Sequence, residues 1–167
     1  MSDLVDRLKK EHKILVEALD SMTTLGVTSK AGQEKLYSAK AALLAHLSLE
    51  DRELYPVLRK AAESDDAVKR TLEVFAKDME EISKRALSFF AQYEQGGDSL
   101  EFAKELGRLM GALKNRIGRE EDVLYAQYDK LVLQETIRSR TRVSSLACSR
   151  EGVPAVSARE ACIFSNM

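Results

Sequence analysis

The sequence predicts an all-α protein, an antiparallel up-and-down four-helix bundle, and three observations predict it. Four segments carry apolar residues in alternating steps of three and four, the spacing of a bundle seam rather than of a strand. The connections between them are short, which makes sequential helices antiparallel neighbours. The composition is rich in Ala, Leu, Glu and Lys, with two Pro, no Trp and only 6% aromatic residues, a mix that favours helices over sheets. At 167 residues, a single domain with a sizeable core is expected.

The first helix carries the stripe Leu4, Leu8, His12, Leu15, Leu19, Met22, and the second carries Leu36, Ala39, Leu43, His46, Glu50, Leu54, Val57. The third reads Val68, Leu72, Phe75, Met79, Ile82, Ala86, Phe89, Tyr93, and the fourth Phe102, Leu106, Leu109, Leu113, Arg116, Glu120, Val123. Turn formers separate them: GVTSKAG at 26–32, ESDD at 63–66 and QGGDS at 95–99, the last two also supplying N-caps. Pro56 lies late in the second helix and predicts a kink or break near Tyr55. The segment LLAHLSLEDRELY (43–55) aligns with LKNRIGREEDVLY (113–125), pairing Leu43 with Leu113, Glu50 with Glu120, Leu54 with Leu124 and Tyr55 with Tyr125. The periodicity divides the chain into a bundle over 1–138 and a non-periodic C-terminal tail over 139–167.

Several function classes are excluded by composition. A formal net charge of −1 supplies no field to gather nucleic acid or an anionic membrane. No apolar run approaches the roughly 18 residues that a membrane span needs, and the charged start MSDLVDRLKKEHK has no apolar signal region, so a cytoplasmic protein is expected. Cys148 and Cys162 form no close-spaced pair and fall outside the periodic region, which argues against a structural disulfide or zinc site.

The informative positions are those where the apolar stripes turn polar: His12, His46, Glu50, Arg116 and Glu120, with Met79 at the corresponding place in helix three. All six fall near mid-helix, within about a turn of one level in an antiparallel bundle. They include the sequence's only two histidines, and His46 and Glu50, four apart, share a helix face. Two imidazoles and two carboxylates in an apolar interior are a ligand set for a divalent first-row ion. Arg116 offers the competing arrangement, pairing with Glu50 and Glu120 and, with one protonated His, neutralising both without metal. Glu121, Asp122, Glu53 and Asp51 read as a solvated face.

EHKIL in helix one, HLSLEDRELYP in helix two and REEDVLY in helix four resemble the hemerythrin-like HHE cation-binding proteins, over about residues 3–130. In that family a His on helix one, HxxxE on helix two, a His on helix three and HxxxE on helix four bind two irons, bridged by the two acidic residues. The resemblance implies His12, His46, Glu50 and Glu120 as metal ligands. Met79 and Arg116 stand where the family has its other two His, so one iron pocket lacks both terminal His ligands. Reversible O₂ binding in the family draws on two irons together, so this loss points away from O₂ carriage.

The resulting expectation is a mononuclear site of two His and carboxylate, with iron as the expected metal and Mn or Zn as alternatives, serving sensing or sequestration. A small gaseous or peroxide ligand at the metal and a protein partner are the expected associations, with no nucleic acid and no membrane. The alternative is a metal-free bundle held by Arg116 and the two glutamates, acting as a regulatory or protein-interaction module. A third class, an enzyme of oxygen, peroxide or nitric oxide chemistry, is not tied to a substrate by any residue.

Overall fold

The computed structural model describes residues 1–148; the remainder of the sequence-predicted tail lies outside the described residues. The elements are α1 (Asp3–Leu25), α2 (Lys30–Leu49), α3 (Tyr55–Ala62), α4 (Asp66–Tyr93), α5 (Ser99–Arg119) and α6 (Tyr125–Cys148). Two π-helical turns, Glu50–Leu54 and Glu120–Leu124, join α2 to α3 and α5 to α6, so the elements form four continuous rods. There is no strand among the described residues. The bundle occupies Met1–Leu133, and residues 134–148, the described part of a second unit, are helical.

Each rod starts on a side-chain cap. Ser2 Oγ accepts from the Val5 amide, Ser29 Oγ from Gly32, Asp65 from Ala67 and Val68, and Asp98 from Leu100 and Glu101. Ser29 as cap shortens the expected 26–32 loop, because Lys30–Gly32 already belong to α2. α1 packs against α2 and α5, and α4 against α2, α3 and α5, which closes a four-sided bundle of antiparallel neighbours.

The core is divided in two. One apolar cluster holds Leu15, Leu19, Leu36, Leu43, Phe89, Phe102 and Leu113 among others, and the second holds Leu4, Leu8, Leu54, Leu58, Phe75, Leu124 and Tyr125. Between them along the rods lie His12, His46, Glu50, Arg116 and Glu120, the buried polar and charged residues of the bundle.

The π turns replace the break expected at Pro56. Tyr55 N–H bonds Glu50 C=O, and Tyr125 N–H bonds Glu120 C=O, each five residues back. Proline does not explain both, since Ala126 occupies the equivalent place after the second turn. In an unbroken α-helix, positions five apart differ by about 140° in direction. One extra residue in the turn removes most of that difference, so Glu50 and Tyr55 both point inward, as do Glu120 and Tyr125. The same slip corrects two core positions. Val123, expected in the core, is exposed while Leu124 is buried, and Val57 is half-buried while Leu58 is fully buried.

Gly26 ends α1 at φ 63°, a conformation that favours glycine, and turns its carbonyl toward Gly32. A Cβ on Gly32 would meet that oxygen at 1.9 Å, whereas one on Gly107 meets nothing within 4 Å. Gly32→Ala is therefore expected to cost about 1–3 kcal/mol in urea unfolding. Gly107→Ala in the helix interior should instead stabilise by about 0.5–1 kcal/mol. Equal effects from the two substitutions would contradict this account of the α1–α2 turn.

Candidate metal centre

The centre is built from rods whose inward stripes turn polar at one level. α1 supplies His12, α2 supplies His46, and the two π turns open on Glu50 and Glu120. All four are at most 3% exposed, as is expected between two apolar clusters. The Nε2 atoms of His12 and His46 face each other at 3.1 Å, and Glu120 Oε2 lies 3.4 Å from His12 Nε2. One donor atom each from His12, His46 and Glu120 falls within 4.8 Å of the others. Glu50 is not part of that group of three. Its Oε1 lies 3.8 Å from His46 Nε2 and accepts a hydrogen bond of 2.9 Å from the Tyr125 hydroxyl.

The outer nitrogens fix the inner ones. His12 Nδ1 lies 3.0 Å from Glu121 Oε1, and His46 Nδ1 lies 3.2 Å from Glu11 Oε2. A carboxylate can only accept, so each imidazole keeps its Nδ1 proton. His46 turns its Nε2 lone pair inward, and His12 Nε2, which faces both His46 Nε2 and Glu120 Oε2, is the place for a further proton. Two lone pairs 3.1 Å apart repel unless a proton or a metal ion lies between them. Carboxylates behind the ligating rings are the usual outer support of a histidine metal site. The sequence reading placed Glu121 on a solvated face and did not single out Glu11. Glu11 directly precedes His12 and Glu121 directly follows Glu120, a clue visible only once the packing of α1 on its neighbours is known.

Arg116 and Met79 share the cavity beside the histidines. It has a volume of about 20 Å³, room for one water-sized occupant, between His12, His46, Glu120, Arg116 and apolar walls that include half-buried Met79. Arg116 Nε donates to Glu120 Oε1 at 2.8 Å, and Nη1 donates to the Phe75 carbonyl at 2.9 Å. Nη2 lies 2.7 Å from the same Glu120 oxygen, without hydrogen-bond geometry. The guanidinium also sits 5.2 Å over the Phe75 ring. It thus pairs with Glu120 and makes no ion pair with Glu50, in contrast to the sequence expectation that it would serve both.

The buried charges show the consequence. Burial, then the neighbouring Glu120, push the Glu50 carboxyl up to about 8, more than its Tyr125 bond and the Arg116 charge offset. Its Oε2 has no hydrogen-bond partner among the described residues. Glu120 is held below its ordinary range, since the His12 bond and the Arg116 charge outweigh its burial. Burial pulls His12 down, but Glu120 and Glu121 raise it overall, whereas burial and then the His12 charge keep His46 low. Together the layer retains protons on groups that a cation could serve instead. Two aligned imidazoles and a carboxylate, with a second carboxylate short of a counter-charge, fit a divalent ion.

The family profile of the Hemerythrin HHE cation binding domain matches residues 3–128. Neither a curated protein nor a solved structure matches the chain.

The raised Glu50 carboxyl predicts a pH dependence for metal-free protein. Folded Glu50 keeps its proton until about pH 8, while an unfolded carboxyl loses it near its ordinary 4.5. The folded state binds the extra proton between those values, so stability falls as pH rises through them. Above 6.5 the raised His12 acts in the same direction, and below 6.5 the lowered His46 opposes, so the fall belongs between 6.5 and the Glu50 value of about 8. Urea unfolding of chelated protein should weaken over that window, by up to about 1.4 kcal/mol per pH unit for each group. Glu50→Gln should flatten the slope. A wild-type profile that is level or rising there would contradict the assignment.

Proposed function

The chain belongs to the hemerythrin HHE cation-binding family, and from that premise we propose that it binds one divalent first-row metal ion, for sensing or sequestration rather than O₂ transport. His12, His46 and Glu120 are the core ligands, and Glu50 is the fourth donor of the set. The observation that carries this reading is the pair of Nε2 atoms turned toward each other at 3.1 Å by carboxylates on their far sides. Iron is the metal proposed, with Mn or Zn as alternatives that the same donors accept.

When bound, such an ion would supply positive charge to the buried carboxylates and, as iron, one-electron chemistry toward a small gaseous or peroxide ligand. The chain's own residues do the rest. Glu11 and Glu121 hold the imidazoles in the binding tautomer, and Tyr125 orients Glu50 while stacking 5.6 Å from the His12 ring. Arg116 supplies +1 beside Glu120 where a second ion would otherwise be needed, and Met79 contributes an apolar wall in place of a further imidazole. This favours one ion over two and supports the proposal against two-iron O₂ carriage.

A metal-free bundle acting as a regulatory or protein-interaction module is the second reading. The Arg116–Glu120 pair favours it, because that carboxylate already has a counter-charge. The two readings separate on metal content. Protein purified without chelator after growth with added iron, manganese or zinc is expected to hold close to one ion per chain. His46→Ala or Glu120→Ala should abolish it, and Glu11→Ala or Glu121→Ala should weaken affinity by about 10–100-fold. Empty wild-type protein under all three metals would leave the metal-free reading standing.

A gain-of-site variant tests the role given to the other two positions. Met79→His combined with Arg116→His returns two imidazoles to the cavity and removes the fixed charge. Metal content of that double variant is expected to rise toward two ions per chain. A content that stays at one would show that Arg116 and Met79 are not what limits the site to a single ion.

A further inference from the structure

The proposed ligands are buried, so a cation has to cross the side chains around them, and two cavities meet at one such place. A surface groove of about 230 Å³ between α1 and α5 is lined by His12, Lys13, Val16, Glu17, Ile117 and Glu121. A tight, partly open cavity of about 20 Å³ lies beside His46 and Glu120. Both cavities are lined by His12 and Ile117, and by no other residue in common. The outer floor of the groove is thus the inner wall of the ligand cluster, one imidazole and one isoleucine thick.

We propose that this groove is the route by which a divalent cation enters and leaves the centre, with Ile117 as its gate. The inference rests on the metal-binding reading above. Alongside Lys13, the groove is lined by Glu17 and Glu121, whose carboxylates can replace water around an incoming cation before it meets nitrogen. Glu121 spans the wall, since its Oε1 lies 3.0 Å from His12 Nδ1 and its Oε2 lies 3.6 Å from Lys9 Nζ at the surface. Its side chain is 30% exposed against 3% for His12, so one residue connects the outside with a ligand ring.

The two gate residues differ in freedom. His12 is held by Glu121, by stacking on Tyr125 and by the facing His46 ring, and moving it would dismantle the centre. Ile117 is half-buried, is followed by Gly118, whose missing side chain leaves open space, and has only apolar contacts to exchange. A rotamer change at Ile117 joins the two cavities while the ligands stay in place.

The test is stopped-flow loading of full-length, metal-free protein with Co(II), read by its visible absorption, followed by release into excess chelator. Ile117→Ala should speed loading and release, and Ile117→Trp should slow both, each by about tenfold. Because both directions use one gate, affinity should move less than either rate. Ile82→Ala, which opens the same cavity from α4 away from the groove, should load at the wild-type rate. Should Ile117→Trp not fold, Ile117→Ala and Ile82→Ala decide the matter between them. Wild-type loading rates in the Ile117 variants, or equal acceleration by Ile82→Ala, would overturn the route and leave the metal reading intact. Failure of wild-type protein to take up Co(II) would remove the metal reading and this route with it.

Discussion

The constraint on which this structure depends is the cost of keeping two histidines and two glutamates inside an otherwise apolar bundle. Buried ionisable groups are tolerated only when paired, hydrogen-bonded or neutralised. Here the layer answers that demand in three ways. Arg116 neutralises Glu120, outer carboxylates hold the imidazoles, and Glu50 retains a proton that water would remove. The remaining deficit is local, around Glu50 and the facing Nε2 atoms. It is there that a divalent ion would take over from protons.

The surrounding fold is arranged to present that layer. Apolar clusters above and below exclude water from it, and four side-chain caps set where each rod begins. Each π turn opens on a buried glutamate and delivers a buried tyrosine five residues later. This geometry is costly by comparison with a plain α-helix, and such turns concentrate at functional sites. Its recurrence in both halves, with proline in only one, ties it to the glutamates rather than to a local helix breaker.

The two halves then diverge through Arg116 and Met79. Tyr125 donates to Glu50 across the bundle, but the equivalent bond from Tyr55 to Glu120 is not made. Arg116 holds the Glu120 oxygen instead, and the Tyr55 hydroxyl has no hydrogen-bond partner among the described residues. His46 and Arg116 occupy matching positions of the repeat, so that exchange, together with Met79 in place of a further imidazole, turns a ligand-bearing half into a charge-bearing one. The asymmetry of the centre follows from that exchange.

The four rods, their order and their short connections were legible in the sequence, because a period of three and four is a local property that burial enforces at every turn. The polar interruptions at His12, His46, Glu50, Arg116 and Glu120 were legible for the same reason, since each is an exception to a counted stripe. The π turns were not, because a one-residue slip leaves the apolar count almost unchanged, and it was enough to misplace Val57 and Val123. Nor could sequence choose the partner of Arg116. Glu50 and Glu120 are equally plausible by type, and only the i,i+4 geometry within α5 and its π turn gave the guanidinium to Glu120 alone. Glu11 and Glu121 became visible in the same way. Their roles depend on which face of α1 meets α2 and α5, a matter of packing between distant segments that no local pattern encodes.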